Sequence, residues 1–201
     1  MHFSSRKNGF TLIELIVSIS IIGFVSVLVF ANGRGFNDNL EVSTAAQDAS
    51  LAVRQSQTYA VSVREAAAGS GQFSYPYGVV FTKLYPEYIF IFADKNDNGV
   101  YDGGSVCNGT DECVEKVSLR NGVTVTGLCA TDSFNAQVCT ATWSSVQFVF
   151  RRPNPDAVIV PTDSVGSPVS GPWNAASITL SSRLGKTKNI VVNVSGQVSV
   201  Q

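Results

Sequence analysis

One carboxylate, that of Glu14, lies inside a stretch that is otherwise uncharged from residue 12 to residue 31. An ionised side chain near the start of an apolar helix of membrane length costs on the order of 1–3 kcal/mol, depending on its depth. We therefore expect Glu14 to pair with a cation. A carboxylate that reaches back to the membrane surface is a second interpretation.

A second group of polar side chains begins at Asp94, directly after the predicted strand 88–93. Counting from Asp94, oxygen-bearing side chains occupy the first, third, fifth and ninth positions, and Gly99 occupies the sixth. Alternating oxygen ligands with a sharp glycine turn are typical of a Ca²⁺ loop. The twelfth position is Ser105 instead of a bidentate glutamate, so a bare turn rich in Asn, Asp and Gly is the alternative. The candidate ligands are Asp94, Asn96, Asn98 and Asp102.

Four cysteines, at positions 107, 113, 129 and 139, allow three disulfide connectivities. None has the close spacing of a zinc or redox site, and outside the cytoplasm they should be oxidised. We favour the pairs Cys107–Cys113 and Cys129–Cys139, because each closes a short polar loop. Four free buried thiols are the alternative.

The composition weighs against several functions. The only histidine, His2, lies at the amino terminus, so the commonest general base and metal ligand are missing from the rest of the chain. Lys and Arg number 14 against 15 Asp and Glu, which does not favour a general nucleic-acid surface. We therefore expect no enzymatic activity and, calcium apart, no cofactor.

The first third of the chain predicts a leader and two helical segments. Residues 1–9 carry Arg6 and Lys7 and no acid, so the amino end should remain in the cytoplasm. Residues 10–31 should form a membrane-spanning helix, since about 20 apolar residues cover about 30 Å. A secretory signal peptide cut after Ala31 and a plain uncut anchor are alternatives.

Residues 32–71 should contain a hinge and then an amphipathic helix. The sequence Asn-Gly-Arg-Gly at 32–35 predicts the hinge. Helix should resume near Asp38, with Glu41 as its capping partner, and end near Ala67. Small residues recur at three- and four-residue steps and should pack on a sheet: Ala45, Ala49, Ala52, Ser56, Ala60, Val63 and Ala67.

Residues 72–201 show the two-residue period of strands. Ser195 and Gly196 should form the turn of a final hairpin. The predicted fold class is α+β, with a long amino-terminal helix packed on an antiparallel β-sheet domain. The predicted strands are 77–82, 88–93, 114–119, 123–128, 146–151, 157–160, 176–181, 189–194 and 197–200.

The segment Gly9-Phe10-Thr11-Leu12-Ile13-Glu14-Leu15, between a basic leader and an apolar run, resembles the processing site of the type IV pilin-like superfamily. The resemblance implies that a prepilin peptidase cleaves after Gly9 and methylates the new amino terminus on Phe10. It also implies that Glu14 neutralises the amine of a neighbouring subunit. That amine is mostly protonated at neutral pH, so the pair satisfies both charges.

The same resemblance implies partners and a location. The partners are other pilins or pseudopilins, which pack through the amino-terminal helix, and the prepilin peptidase. The chain would cross the inner membrane once, with its carboxyl-terminal domain outside the cytoplasm, and would then enter a pilus or pseudopilus.

Several β segments resemble the H-type minor pseudopilins of type II secretion and the FimT-type minor pilins. These segments are 77–81, 89–94, 119–125, 178–180 and 189–198. The resemblance implies a structural role in protein secretion or pilus assembly. The alternative is a minor pilin that binds DNA for uptake, with Arg183, Lys186 and Lys188, or Arg151 and Arg152, as phosphate contacts. Residues 189–201 carry no positive charge, so we do not expect nucleic acid as a partner.

Overall fold

The computed structural model describes residues 9–62, 65, 71, 73–108, 111–154 and 156–201, and of residues 31–36 it describes the backbone only. The chain divides into two units, Met1–Asn37 and Asp38–Gln201. The leader residues 1–8 and the predicted helix end near Ala67 lie outside the described residues.

A single helix, α1 (Leu12–Val61), contains 50 residues. Its backbone is helical through residues 32–35, and the hinge predicted there stays a prediction. Each glycine costs about 1 kcal/mol in a helix interior, and here the backbone hydrogen bonding continues on both sides of the two glycines. The helix ends at Val61, and the amide of Ser62 still donates to the Thr58 carbonyl at 2.9 Å.

In the second unit, the small-residue face of α1 is buried, as predicted. The described members of the predicted stripe are at most 2% exposed, and Val42, Ala46 and Val53 extend this face. Small side chains bring the helix close to the sheets, so the aromatic side chains of the strands fill the remaining space. The buried stripe residues are Ala45, Ala49, Ala52, Ser56 and Ala60.

Ten strands form two antiparallel five-stranded sheets. The first sheet has the order β3-β2-β1-β6-β7, and the second has the order β10-β9-β8-β4-β5. A short 3₁₀ turn, Arg120–Gly122, joins β3 to β4. The strands are β1 (Tyr77–Thr82), β2 (Tyr88–Ala93), β3 (Cys113–Ser118), β4 (Thr124–Asp132), β5 (Gln137–Cys139), β6 (Ser145–Phe150), β7 (Ala157–Thr162), β8 (Trp173–Ser181), β9 (Thr187–Asn193) and β10 (Val198–Val200).

All nine predicted strands are present, with ends that move by up to four residues, and the α+β fold class is confirmed. The final hairpin is also confirmed, since the Gly196 amide donates to the Asn193 carbonyl at 2.8 Å. Strand β5 was missed. Its three residues are exposed and lack an alternating pattern, so its position depends on pairing with β4.

The core lies between the helix and the two sheets. One face of the first sheet contributes Phe81, Phe148 and Phe150 to it, all fully buried. The other face of that sheet carries a smaller cluster, in which Phe90 stacks on Tyr101 at 5.5 Å between ring centroids. Tyr101 belongs to the connection between β2 and β3. This connection therefore packs over the sheet and carries the predicted calcium ligands.

Candidate functional site

The predicted cut site lies just before α1. Gly9, Phe10 and Thr11 precede the first helical residue, and the Phe10 side chain is 84% exposed. A Cβ atom added to Gly9 would meet nothing within 4 Å. The packing of the described residues therefore does not require glycine at this position.

Thr11 and Glu14 form the cap of the helix. The Glu14 amide donates to Thr11 Oγ1 at 3.3 Å, and the Thr11 hydroxyl faces Glu14 Oε2 at 3.5 Å. A carboxylate in the first turn also interacts favourably with the helix dipole. Sequence reasoning missed this role, although the Thr-x-x-Glu spacing of a capping box was present. Glu14 thus acts within its own chain, in addition to the predicted pairing between chains.

The apolar part of α1 presents its side chains outward. Residues Leu12–Phe30 are long and apolar enough to cross a membrane, and none of this segment is buried against the residues that the structure describes. Its serine hydroxyls are satisfied locally, since Ser18 donates to the Glu14 carbonyl at 2.7 Å and Ser26 to the Ile22 carbonyl at 2.8 Å. With these groups paired, the helix surface suits hydrocarbon or other apolar helices.

The structure brings the four predicted calcium ligands together in one turn. Asp94 is fully buried, and its two oxygens accept from the backbone amides of Asn98 at 3.1 Å and Gly99 at 2.9 Å. The side-chain amides of Asn96 and Asn98 both donate to Asp102 Oδ2 at 2.7 Å. Both carboxylate oxygens of Asp94 and one oxygen of Asp102 are therefore already used by hydrogen bonds inside the turn.

Glu112 holds this turn against the rest of the connection. It is 5% exposed and accepts from the backbone amides of Lys95 and Asp102, each at 2.9 Å. It therefore connects the two ends of the turn through backbone amides.

Burial raises the pKa of Asp94 in this turn and the pKa of Glu112 beside it. For Asp94 the amides of Gly99 and Asn98 oppose the increase, and for Glu112 the amides of Asp102 and Lys95 oppose it. Arg151 pairs with Asp97 at 2.8 Å and approaches Asp94 only to 4.0 Å. The turn is therefore closed mainly by backbone donors.

Calcium binding by this turn stays a prediction. Among the described residues, no group of three or more His, Cys, Asp or Glu side chains is arranged to hold a metal ion. A cation would have to displace the backbone amides from Asp94 and rotate the side-chain amides of Asn96 and Asn98. The observed hydrogen bonds favour the alternative of a bare turn.

Both disulfides join the pairs that the loop lengths favoured. Cys107–Cys113 closes a loop that returns to the first residue of β3, with 4.9 Å between the Cα atoms. Cys129 and Cys139 are directly opposite each other in β4 and β5, with 4.2 Å between the Cα atoms. The second bridge fixes the short edge strand that the sequence pattern did not reveal.

The basic residues considered for DNA binding belong to separate parts of the domain. Arg151 and Arg152 follow β6 in the first sheet, whereas Arg183 and Lys186 lie in the turn between β8 and β9 in the second sheet. The ion pair of Arg151 with Asp97 further reduces the charge available to a phosphate. The two groups of basic residues therefore do not share a strand or a turn.

Comparison with protein families identifies the amino terminus. The family model described as the prokaryotic N-terminal methylation motif matches residues 4–30. No curated protein and no solved structure is significantly similar to the chain. The match covers the basic leader, the predicted cut site, Glu14 and the apolar helix. The amino-terminal segment of this chain is therefore a type IV pilin-like prepilin segment.

Proposed function

We propose that the chain is a minor pseudopilin or minor pilin, with a structural role in a type II secretion pseudopilus or a type IV pilus. It enters the inner membrane with its amino end in the cytoplasm and its β domain outside. Prepilin peptidase removes residues 1–9 and methylates Phe10. The mature subunit then leaves the bilayer and joins a fibre.

The main support is the methylation motif on a helix whose apolar side chains are not buried by any described part of the chain. A helix that is apolar on all sides is stable only in lipid or among other apolar helices. The same surface would therefore serve first as the membrane anchor and later as the contact with sister subunits.

The carboxylate of Glu14 in the apolar helix supports the proposed assembly step. After cleavage, the new amine on Phe10 of a neighbouring subunit would be a cation in an apolar environment, and Glu14 is the only acid in residues 12–31. An ion pair satisfies both groups, whereas either charge alone would be costly there. The pair would also set the axial position of one subunit against the next.

The β-domain resemblance favours a secretion pseudopilus over a surface pilus. Residues 77–81 and 189–198, which carry part of that resemblance, form β1 and the final hairpin. Gly78 is required in β1, because a Cβ there would lie 2.6 Å from Cζ of Phe92 and 2.9 Å from the Phe148 carbonyl oxygen. This packing belongs to the fold and assigns no partner, so the choice of machine rests on the resemblance alone.

Coexpression with a prepilin peptidase tests the proposed processing. Gly9→Glu should leave the chain at full length on a gel, whereas the unchanged chain should lose its leader. Gly104→Glu is a matched control, because Gly104 also has nothing within 4 Å of an added Cβ and is remote from the cut site in sequence. Cleavage of Gly9→Glu, or no cleavage of the unchanged chain, would contradict the proposal.

A further inference from the structure

The turn between β8 and β9 is fixed to the start of the second unit. The Ser182 hydroxyl donates to Asp38 Oδ2 at 2.6 Å, and both residues are buried. Ser182 also accepts from the amides of Lys186 and Gly185, which closes the turn. Asp38, which the sequence suggested as a helix cap, instead anchors this turn.

The turn presents cations beside an exposed leucine. Arg183, Leu184 and Lys186 are all exposed, and the Leu184 side chain at the tip is 64% accessible. Arg183 lies over the 3₁₀ turn, since a Cβ added to Gly122 would clash with Arg183 Nε. Exposed Arg120 begins that same 3₁₀ turn. We call Arg120, Arg183, Leu184 and Lys186 the basic turn cluster.

No ion pair among the described residues neutralises the basic turn cluster. Both ion pairs found there involve Arg151, so none joins a member of this cluster to a carboxylate. Arg120 shares a groove with Asp48 and Glu115, whereas the two cations of the β8–β9 turn are exposed. The β8–β9 turn therefore carries two cations that form no ion pair with a described carboxylate.

The chain limits how far the cluster can be from the membrane. Phe30 ends the apolar span, and Asp38 follows eight residue steps later. Eight steps extend at most about 29 Å, and any helical structure shortens that reach. The β8–β9 turn is one hydrogen bond from Asp38, and Asp38 is therefore no farther than this chain length from the end of the apolar span.

We propose that the basic turn cluster binds the headgroups of anionic phospholipids at the outer surface of the inner membrane before assembly. Arg and Lys interact with lipid phosphates, and a leucine at the tip of a turn can enter the interfacial layer. An exposed leucine contributes nothing to contacts with DNA phosphates, so the cluster suits a lipid surface better than a duplex. This inference rests on the membrane location proposed above.

Hydrogen exchange on the full chain in lipid nanodiscs tests the inference. Discs of phosphatidylcholine alone are compared with discs that also contain phosphatidylglycerol, and exchange is measured in peptides that cover residues 182–186. Phosphatidylglycerol should slow exchange in this turn. Each cation should raise the affinity of the turn for the anionic lipid surface by roughly fivefold. Arg120→Gln/Arg183→Gln/Lys186→Gln should abolish the difference between the two lipids.

A matched variant and a DNA arm complete the experiment. Arg54→Gln/Lys83→Gln/Arg152→Gln removes the same charge from residues outside the cluster and should keep the protection. Equal exchange in both lipids, or protection by added duplex DNA instead of phosphatidylglycerol, would overturn the lipid assignment while leaving the proposed function intact. Failure of the chain to insert into either disc would overturn the membrane location and this inference with it.

Discussion

Glu14 has two roles that substitution can separate. It caps its own helix with Thr11, at 3.3 Å and 3.5 Å, and it is proposed to neutralise the Phe10 amine of a neighbour. Thr11→Ala removes the cap but keeps the carboxylate, at a cost of about 1 kcal/mol. Glu14→Gln removes the negative charge. It keeps the backbone donor to Thr11 and an oxygen near the Thr11 hydroxyl, so the cap changes little.

The two variants should therefore differ in assembly. Loss of one partner from a buried ion pair costs about 3–5 kcal/mol, which corresponds to roughly a hundredfold to several-thousandfold loss in a fibre contact. Loss of the cap alone corresponds to roughly fivefold. Glu14→Gln, like Glu14→Val, should be processed but excluded from fibres, whereas Thr11→Ala should be processed and largely incorporated.

The assay separates processing from incorporation. Processing is read from the gel mobility of membrane-bound chain, and incorporation from the amount recovered in sheared fibres when each variant is expressed with its sister subunits. Incorporation of Glu14→Gln at the level of the unchanged chain would refute the ion-pair argument. Equal defects in Glu14→Gln and Thr11→Ala would show that the cap is the part that matters.

Three further predictions concern the β domain. Replacing both Cys129 and Cys139 with alanine opens a loop with a sequence separation of 10. The loss of about 3 kcal/mol in the free energy of unfolding should lower Tm by roughly 5–10 °C. An unchanged Tm in calorimetry would contradict this. The raised pKa values of Asp94 and Glu112 mean that the folded state holds these protons more tightly, so their contribution to stability falls as pH rises through the folded pKa values. Asp94→Asn/Glu112→Gln should flatten the profile of Tm against pH on the acidic side, and an unaltered slope would count against the burial argument. Adding calcium to about 1 mM should leave Tm unchanged, because the oxygens of Asp94 are already used, and a clear rise would show that the turn rearranges around a cation.

Local patterns predicted the elements of the fold well. The two-residue period located nine strands because each buries side chains on at least one face of a sheet. It missed β5, since exposed residues have no periodic burial to reveal them. It also gave no division into two sheets. Pairings such as β1 with β6 and β4 with β8 join distant segments, and the choice of partner depends on packing.

The functional residues were predicted where chemistry is local in sequence. Glu14 was found because a charge in an apolar run is conspicuous, and the disulfides because short loops favour neighbouring cysteines. Asp38 was misassigned, since its partner Ser182 is 144 residues away. The hinge at residues 32–35 stays a prediction, and a helix can contain glycines when its flanking turns are intact.

Mass spectrometry of the mature amino terminus tests the central claim most directly. The account predicts a chain that begins at Phe10 and carries a methyl group on its amine. A mature chain that begins at Met1 or at Asn32 would contradict it, because Glu14 would then have no new amine to neutralise.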